Sequence, residues 1–203
     1  MKTLDPISRD HHPMGRRSFL KLSGLLGLGM ASTWVIPAGA EAVKFDKKTY
    51  KVSKTRLAMG TFVSMTLIHS SRDQAEEAMG YAFGEIDRLT GLMNRFDSST
   101  AVGHLNQEGR LRDLPPEVLH VVERALHYNR LTGGAFDITV KPVVDLFKER
   151  MGGEKKTPPT DRELKDLLRL IGSRKIELQG NSTSFTVPGM GITLDGIAKG
   201  YIV

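Results

Sequence analysis

The segment that decides the fold is TYKVSKTRLAMGTFVSMTLI, residues 49–68, because it holds two strand-like runs in direct succession. Residues 49–56 and 61–68 are rich in β-branched and apolar side chains, and Met59 and Gly60 between them predict a turn or a bulge. A doubly wound nucleotide-binding fold would alternate strands and helices from its start. The two successive strands therefore favour an α+β fold with a largely antiparallel sheet.

The rest of the chain predicts helices first and short strands afterwards. A helix is predicted over 73–93, where apolar residues recur at helical spacing. The further predicted elements are, in chain order, a polar loop over 94–109, a helix over 116–131, an extended segment over 135–140, a brief helix over 142–149, a flexible excursion over 151–159, a helix with a capping box over 160–172, and strands over 175–178, 184–187 and 191–194. This order of elements is typical of α+β domains.

The beginning of the chain predicts an export signal. The basic stretch RRSFLK, residues 16–21, precedes an uncharged apolar run over 22–36, and the small residues Ala38 and Ala40 indicate cleavage after Ala40. Paired arginines followed by Phe-Leu-Lys resemble a twin-arginine signal, which an export receptor reads. A membrane anchor is the alternative, but a spanning helix needs about 20 apolar residues, and this run is shorter.

Composition and charge restrict the class of protein further. The chain has 203 residues and a formal net charge of +6, but half of that excess lies in residues 1–40. The charge therefore gives no support to nucleic-acid binding. The absence of cysteine excludes a disulfide framework and a thiolate metal site. We expect a periplasmic protein with a signal peptide over 1–40, a linker over 41–54 and a single domain over 55–203.

A first candidate site is the sequence TGGAFDITV, residues 132–140, which combines two glycines with an aromatic ring, a carboxylate and a hydroxyl. Glycines let a ligand approach backbone amides, and Phe136 can stack on a planar ring. In an extended segment Asp137 and Thr139 share one face, which suits a hard cation or the hydroxyls of a ribityl or ribose chain. The same residues also suit a helix C-cap leading into a strand with a buried Phe and a solvated edge.

A second candidate site is the sequence DGIAKGY, residues 195–201, which follows the last predicted strand. Its glycines allow the backbone to come close to a phosphate or a metal. Lys199 lies near the start of a predicted helix, where a positive charge opposes the helix dipole unless an anion is bound. The alternative is a lysine whose ammonium group reaches into water.

Five motifs, in this order, resemble the FAD:protein FMN transferases, also called the ApbE family, over about residues 55–203. They are MGT at 59–61, IDRL at 86–89, FD at 96–97 with Thr100 and LN at 105–106, TGGAFDITV at 132–140, and DGIAKGY at 195–201. The resemblance implies an ApbE-like α+β fold, in which antiparallel sheets of the tunnelling-fold (T-fold) type pack with helices.

The resemblance also implies an activity. Members of the family bind FAD and Mg²⁺, transfer the FMN part of FAD to a threonine hydroxyl of a partner protein, and release AMP. The flavin acceptor is typically a subunit of a membrane redox complex or a periplasmic reductase, and a homodimer is compatible with the family. Two alternatives stay open: a periplasmic flavin-binding assembly factor without transferase activity, and an inactive fragment.

The resemblance assigns site residues by position in the motifs. Met59 and Phe96 are implied to flank the isoalloxazine, although the family often has Tyr at the position of Phe96. The implied FAD-contacting residues are Met59, Phe96, Ala135, Phe136, Asp137, Thr193 and Lys199, and Gly196 is implied to bind the metal through its carbonyl oxygen.

Two features depart from the family pattern. The family commonly has Asp-Leu-Gly-Gly where this chain has Thr193-Leu194-Asp195-Gly196, so the carboxylate lies two positions later, on the same face of the predicted strand. The family also continues beyond the position of Val203, with an Asp and a Thr that complete the metal site. We therefore expect an FAD:protein FMN transferase chain that is truncated at its C-terminus and lacks part of the metal site, and we assign no general base.

Overall fold

The structure is a computed structural model that describes residues 41–46, 48–152 and 156–203. The predicted signal peptide over 1–40 lies outside these residues, so it stays a prediction. Across the described stretches, no helix has both the length and the apolar character that crossing a membrane requires.

Strands and helices are interspersed along the described chain. The strands are β1 Glu41–Lys44, β2 Tyr50–Ala58, β3 Thr61–His69, β4 Arg110–Leu111, β5 Ile176–Gln179 and β6 Ser182–Phe185. The helices are α1 Arg72–Met93, α2 Ala101–Glu108, α3 Pro116–Leu131, α4 Lys141–Met151, α5 Asp161–Leu168 and α6 Ala198–Ile202, with two short 3-10 turns at Ile138–Val140 and Ser173–Lys175.

The first sheet has the order β1-β2-β3, and both of its pairings are antiparallel. β2 and β3 form the predicted hairpin, in which Ala58 lies opposite Thr61 and Met59 and Gly60 make the turn. β1 lies where the sequence predicts a polar linker. Its backbone pairs with the edge of β2, and an open strand edge can recruit an extended segment that shows no apolar pattern of its own.

Helix α1 packs on one face of this sheet through the apolar stripe that its sequence predicts. Met79, Phe83 and Ile86 of the helix are buried in one cluster with Val52 of β2. The first sheet and α1 therefore form one layered unit, and the β2–β3 turn lies at its end.

The second sheet has the order β4-β6-β5 and is also antiparallel. A larger core lies beside it, built from α2, α3, the end of α1 and the segment around Ile192. The predicted brief helix is confirmed as α4, and the predicted capping box is confirmed at the start of α5, where Thr160 and Glu163 bond to each other's backbone N–H groups. The α+β fold with antiparallel sheets is confirmed.

Three local predictions are wrong. The polar loop over 94–109 contains α2, whose eight residues are too few to display a helical repeat clearly. The extended segment over 135–140 ends in a 3-10 turn, because the Asp137 side chain caps that turn by accepting a hydrogen bond from the Thr139 backbone N–H. Residues 191–194 do not pair as a strand, and side-chain contacts described below hold them instead.

Candidate functional site

A cavity of about 330 Å³ opens where the β2–β3 turn, the loop after α1 and the start of α6 meet. We call it the hairpin cavity. Its lining includes Met59, Phe96 and Lys199, three residues to which the sequence assigned FAD contacts, together with Arg95 and Asp195. The fold therefore brings together motifs that lie more than 100 residues apart in the chain.

The turn at Met59 and Gly60 gives the cavity its first wall. Both residues have positive φ angles, 52° at Met59 and 70° at Gly60, which is the mark of a type I′ hairpin turn. Asn, Asp or Gly usually occupies the first of these positions, because other side chains are strained there. Strained backbone is concentrated at functional sites, and here the strain places a long thioether side chain at the cavity.

The loop between α1 and α2 gives the second wall. The Asn94 side-chain oxygen accepts a hydrogen bond from the Phe96 backbone N–H at 3.0 Å. Asp97 accepts hydrogen bonds from the hydroxyl and the backbone N–H of Ser99, and these bonds lower the pKa of Asp97 below its ordinary value. Thr100 closes the loop by donating to the Asp97 and Asn94 carbonyl oxygens. Short local contacts thus fix the backbone that carries Phe96.

Arg95 is buried at the base of this wall. Its side chain is 2% exposed and forms hydrogen-bonded ion pairs with Asp145 at 2.7 Å and with Asp195 at 3.2 Å. Its guanidinium carbon lies 4.3 Å from the centroid of the Phe96 ring, and the Lys148 ammonium lies 4.6 Å from the same centroid. Phe96 itself is 69% exposed, so its ring is available to a ligand.

Residues 191–194 lead into the third wall. Asn106 of α2 holds them, because its side-chain amide donates to the Ile192 carbonyl at 3.0 Å and accepts from the Ile192 N–H at 2.7 Å. The Thr193 N–H donates to the Ile138 carbonyl at 2.8 Å. The sequence predicted that the carboxylate of Asp195 lies on the face of a strand, and this prediction is wrong. The carboxylate lies in the turn that follows and contacts Arg95.

The carboxylate of Asp137 has a structural role as the acceptor of several hydrogen bonds. It accepts hydrogen bonds from the hydroxyl and N–H of Thr139, from the hydroxyl and N–H of Ser173, and from the Asn129 amide, at 2.6–3.2 Å. Burial raises the pKa of Asp137, but the bonds from Thr139 and Ser173 lower it more, so its pKa is below the ordinary value. The sequence predicted that Asp137 and Thr139 share a free face. They do not, because the two side chains bond to each other.

A second cavity, of about 360 Å³, lies against the 196–201 segment and is lined by His120, Arg124 and Tyr128 of α3 with Gly196 and Tyr201. Phe136 lies at its side: the ring packs edge-on against Tyr128 with centroids 6.5 Å apart. A Cβ atom on Gly196 would lie 3.4 Å from the Phe136 ring. The two cavities thus share the segment that contains Asp195, Gly196 and Lys199.

The donor atoms near Gly196 fit Mg²⁺ only in part. Within the ranges that the structure describes, no group of three or more His, Asp or Glu side chains could enclose a metal ion. Gly196 has a backbone carbonyl, and the neighbouring Asp195 carboxylate is 61% exposed. One or two hard oxygens of this kind are the sparse protein contribution with which Mg²⁺ binds substrate phosphates, keeping its remaining ligands as water.

The structure separates the assigned residues. Three of them line the hairpin cavity: Met59, Phe96 and Lys199. Gly196 lines the second cavity, and the other four do not line the hairpin cavity: Ala135, Phe136, Asp137 and Thr193. Their assigned contacts with FAD or metal stay predictions. The residues that sequence reasoning missed are those that hold the site: Arg95, Asn106, Asn129, Asp145 and Ser173. Arg95 adjoins a quoted motif and Asn106 lies within one, but no local pattern reveals partners up to 100 residues away.

The chain is similar to a known family and to single proteins within it. A family model described as the ApbE family matches residues 59–203. The FAD:protein FMN transferase of Vibrio cholerae is 31% identical over 123 residues, which are 58% of this chain and 37% of that protein. The FAD:protein FMN transferase of Haemophilus influenzae is 24% identical over 194 residues, 89% of this chain and 52% of that protein.

Solved structures agree on the fold. A variant of the flavin transferase ApbE from Vibrio cholerae matches with a TM-score of 0.67 and 24% identity, covering 75% of this chain and 53% of that one. The chain therefore spans about half, or less, of the length of the relatives it matches. The predicted ApbE-like fold is confirmed.

Proposed function

The chain belongs to the ApbE family, and we propose that it forms the flavin-binding part of an FAD:protein FMN transferase. The proposed reaction moves FMN from FAD to a threonine hydroxyl of a partner protein and releases AMP. The observation that carries the proposal is the hairpin cavity, where Met59, Phe96, Asp195 and Lys199 meet. Their motifs come from three separate parts of the chain, and a shared ligand accounts for their convergence.

The flavin end of the proposed ligand lies between Met59 and Phe96. An isoalloxazine is a flat, polarisable ring, and both a thioether and an aromatic ring make favourable contacts with such a surface. The exposure of Phe96 and the strained turn at Met59 are both accounted for by a ring bound between them.

The phosphate end of the proposed ligand lies near Lys199. Lys199 is exposed, and its ammonium group forms no ion pair within the part of the chain that the structure describes. An ammonium group in a partly enclosed cavity attracts a pyrophosphate more strongly than it would in open water. Lys199 would therefore orient FAD and offset the negative charge of the AMP leaving group.

In the proposed transfer, the threonine oxygen forms a bond to the phosphorus of the FMN part while the bond from that phosphorus to the AMP phosphate oxygen breaks. Such transfers depend on positioning and charge neutralisation more than on covalent participation of the protein. The Gly196 carbonyl and the Asp195 carboxylate are the groups that would hold Mg²⁺, which supplies charge neutralisation for a pyrophosphate. The threonine proton is released to solvent water as the bond to phosphorus forms.

The setting of the reaction is part of the same proposal. The twin-arginine-like pattern of residues 16–21 supports export to the periplasm. The acceptor would then be a flavin-carrying subunit of a membrane redox complex or a periplasmic reductase, and a homodimer is compatible with this role.

The test of the proposed function is transfer of flavin to protein. The full-length gene product that contains this chain is incubated with FAD, Mg²⁺ and an apo redox subunit whose acceptor is a threonine, and flavin fluorescence is read in a denaturing gel. We expect a fluorescent acceptor band that is lost when the acceptor threonine is replaced by alanine. FAD binding without labelling would contradict the transferase and indicate an assembly factor. The absence of both binding and labelling would contradict both functions and indicate an inactive protein.

Met59→Asn is expected to have opposite effects on stability and on binding. Asn tolerates a positive φ angle, so relief of strain should raise the free energy of unfolding by about 1 kcal/mol. Loss of the thioether from the hairpin cavity should weaken FAD affinity about fivefold, since a methionine–aromatic contact contributes about 1 kcal/mol. Denaturant unfolding and FAD titration measure the two effects.

A matched control is Asp113→Gly, because Asp113 also has a positive φ angle, 56°, but does not line the hairpin cavity. This substitution should leave FAD affinity unchanged. If Met59→Asn stabilises the protein and FAD affinity is also unchanged, Met59 does not contact the ligand.

A further inference from the structure

We propose that Arg95 is a positioning residue, which fixes the Phe96 ring and the Asp195–Gly196 turn relative to each other in the hairpin cavity. The inference rests on the proposed function, because its consequence is tighter binding of FAD. No motif quoted from the sequence contains Arg95, and its role emerges only from contacts made in the folded chain.

The charge of Arg95 is buried between carboxylates that are themselves exposed. The Arg95 side chain is 2% exposed, whereas its two carboxylate partners, Asp145 and Asp195, are 39% and 61% exposed. Burying a guanidinium group is unfavourable unless it is paired and hydrogen-bonded. The Nη2 atom of Arg95 is nevertheless buried without a hydrogen-bond partner among the described residues. A buried arginine with one unpaired nitrogen contributes little to the stability of a core. A functional role explains why the unpaired Nη2 atom is retained.

The guanidinium group of Arg95 contacts three side chains from different parts of the fold. It stacks on the Phe96 ring at 4.3 Å, and it donates from Nε to Asp195 at 3.2 Å and from Nη1 to Asp145 at 2.7 Å. One rigid planar group thus joins the loop after α1, the turn before α6 and helix α4. A lysine has a point charge and no planar fork, so it cannot make these three contacts together.

Asp145 pairs with Arg95 from outside the cavity. Asp145 does not line the hairpin cavity. Its second carboxylate oxygen accepts a hydrogen bond from Lys141 at 2.8 Å, one turn earlier on α4. Burial raises the pKa of Asp145, but hydrogen bonds from Lys141 and Arg95 lower it more, which keeps the carboxylate charged. Asp145 is therefore an anchor for Arg95 at a distance from the ligand.

The experiment measures FAD affinity by flavin fluorescence, on the full-length gene product with Mg²⁺ present, at a temperature where every variant is folded. Arg95→Met is expected to weaken FAD affinity about tenfold. Arg95→Lys should fall between Arg95→Met and the wild type. Asp145→Asn should weaken affinity through the same contact, so the double variant Arg95→Met/Asp145→Asn should bind no more weakly than Arg95→Met alone.

The matched control is Arg56→Met. Arg56 also stacks on a phenylalanine, Phe83, at 5.2 Å and pairs with a carboxylate, Asp87, at 3.4 Å, but it does not line the hairpin cavity. Its replacement should leave FAD affinity within about twofold of the wild type, since the effect of a site without shared partners is independent.

The outcomes separate this inference from the proposed function. A wild-type protein that binds no FAD overturns both. Wild-type binding together with unchanged affinity in Arg95→Met, or with additive effects of Arg95→Met and Asp145→Asn, overturns the positioning role alone. If Arg95→Met does not fold, the test uses Arg95→Lys and Asp145→Asn instead. Wild-type FAD affinity in both variants contradicts the inference, and weakened FAD affinity in both supports it.

Discussion

Gly103→Ala is expected to lower the free energy of unfolding by about 3 kcal/mol, at the upper end of the usual cost of overpacking. A Cβ atom at position 103 would lie 1.9 Å from the carbonyl oxygen of Asp97 and 2.6 Å from its carbonyl carbon. Both are backbone atoms, so no side-chain rotation can relieve the overlap. Helix α2 and the loop before it must separate, and that loop carries Arg95 and Phe96.

The same substitution elsewhere supplies the comparison. Gly91 lies in α1, and a Cβ atom there would meet no atom within 4 Å. Gly91→Ala should raise stability by up to about 1 kcal/mol, because alanine favours helix more than glycine does. Both variants are compared with the wild type by denaturant unfolding and by FAD titration. Equal stability changes in the two variants would contradict the close packing of α2 against the 94–100 loop.

Asp137→Asn is expected to cost about 3 kcal/mol of stability, because it leaves buried donors without acceptors. The aspartate accepts from two groups of Thr139, two groups of Ser173 and the amide of Asn129. An asparagine retains one oxygen and turns an NH₂ group toward some of these donors. Chemical denaturation at neutral pH measures the loss.

The loss should depend on pH in a defined direction. The folded-state pKa of Asp137 is lowered, so the unfolded chain, with a pKa of about 3.9, takes up its proton first as the pH falls. The stabilisation from Asp137 is therefore complete well above pH 4 and declines as the pH falls through the folded-state pKa. The stability difference between wild type and Asp137→Asn should shrink below about pH 4.

Asp166→Asn is the control for this experiment. Asp166 is exposed, and its contact with Arg169 at 3.7 Å is a surface pair of a kind that contributes little. Its replacement should change stability by less than about 0.5 kcal/mol at neutral pH. An Asp137→Asn variant that behaves in the same way would show that the hydrogen bonds of Asp137 do not stabilise the fold.

Local sequence patterns predicted the elements that local chemistry determines. The β2–β3 hairpin followed from two strand-like runs on either side of Met59 and Gly60, and α1 followed from its apolar repeat. The short helix α2 was missed because eight residues display too little periodicity. β1 was missed because its pairing depends on the open edge of β2, which no feature of its own sequence reveals.

Three residues that line the hairpin cavity were predictable, whereas the residues that support them were not. The resemblance of the motifs named Met59, Phe96 and Lys199, which the structure brings to one cavity. Arg95 contacts Asp195, which lies 100 residues later in the sequence. Asn106 is hydrogen-bonded to Ile192, which lies 86 residues later. Such contacts exist only once the chain has folded, so the sequence predicted a strand over 191–194 where side chains hold an irregular segment.

Replacement of Phe96 tests whether the hairpin cavity binds the flavin of FAD. FAD is titrated into the full-length gene product as wild type, Phe96→Ala and Tyr81→Ala, with quenching of flavin fluorescence as the signal. Tyr81 is an exposed aromatic residue of α1 that does not line the cavity. If the flavin binds there, FAD binding is saturable, weakens about tenfold in Phe96→Ala and is unchanged in Tyr81→Ala. Equal affinity in wild type and Phe96→Ala would contradict flavin binding in this cavity.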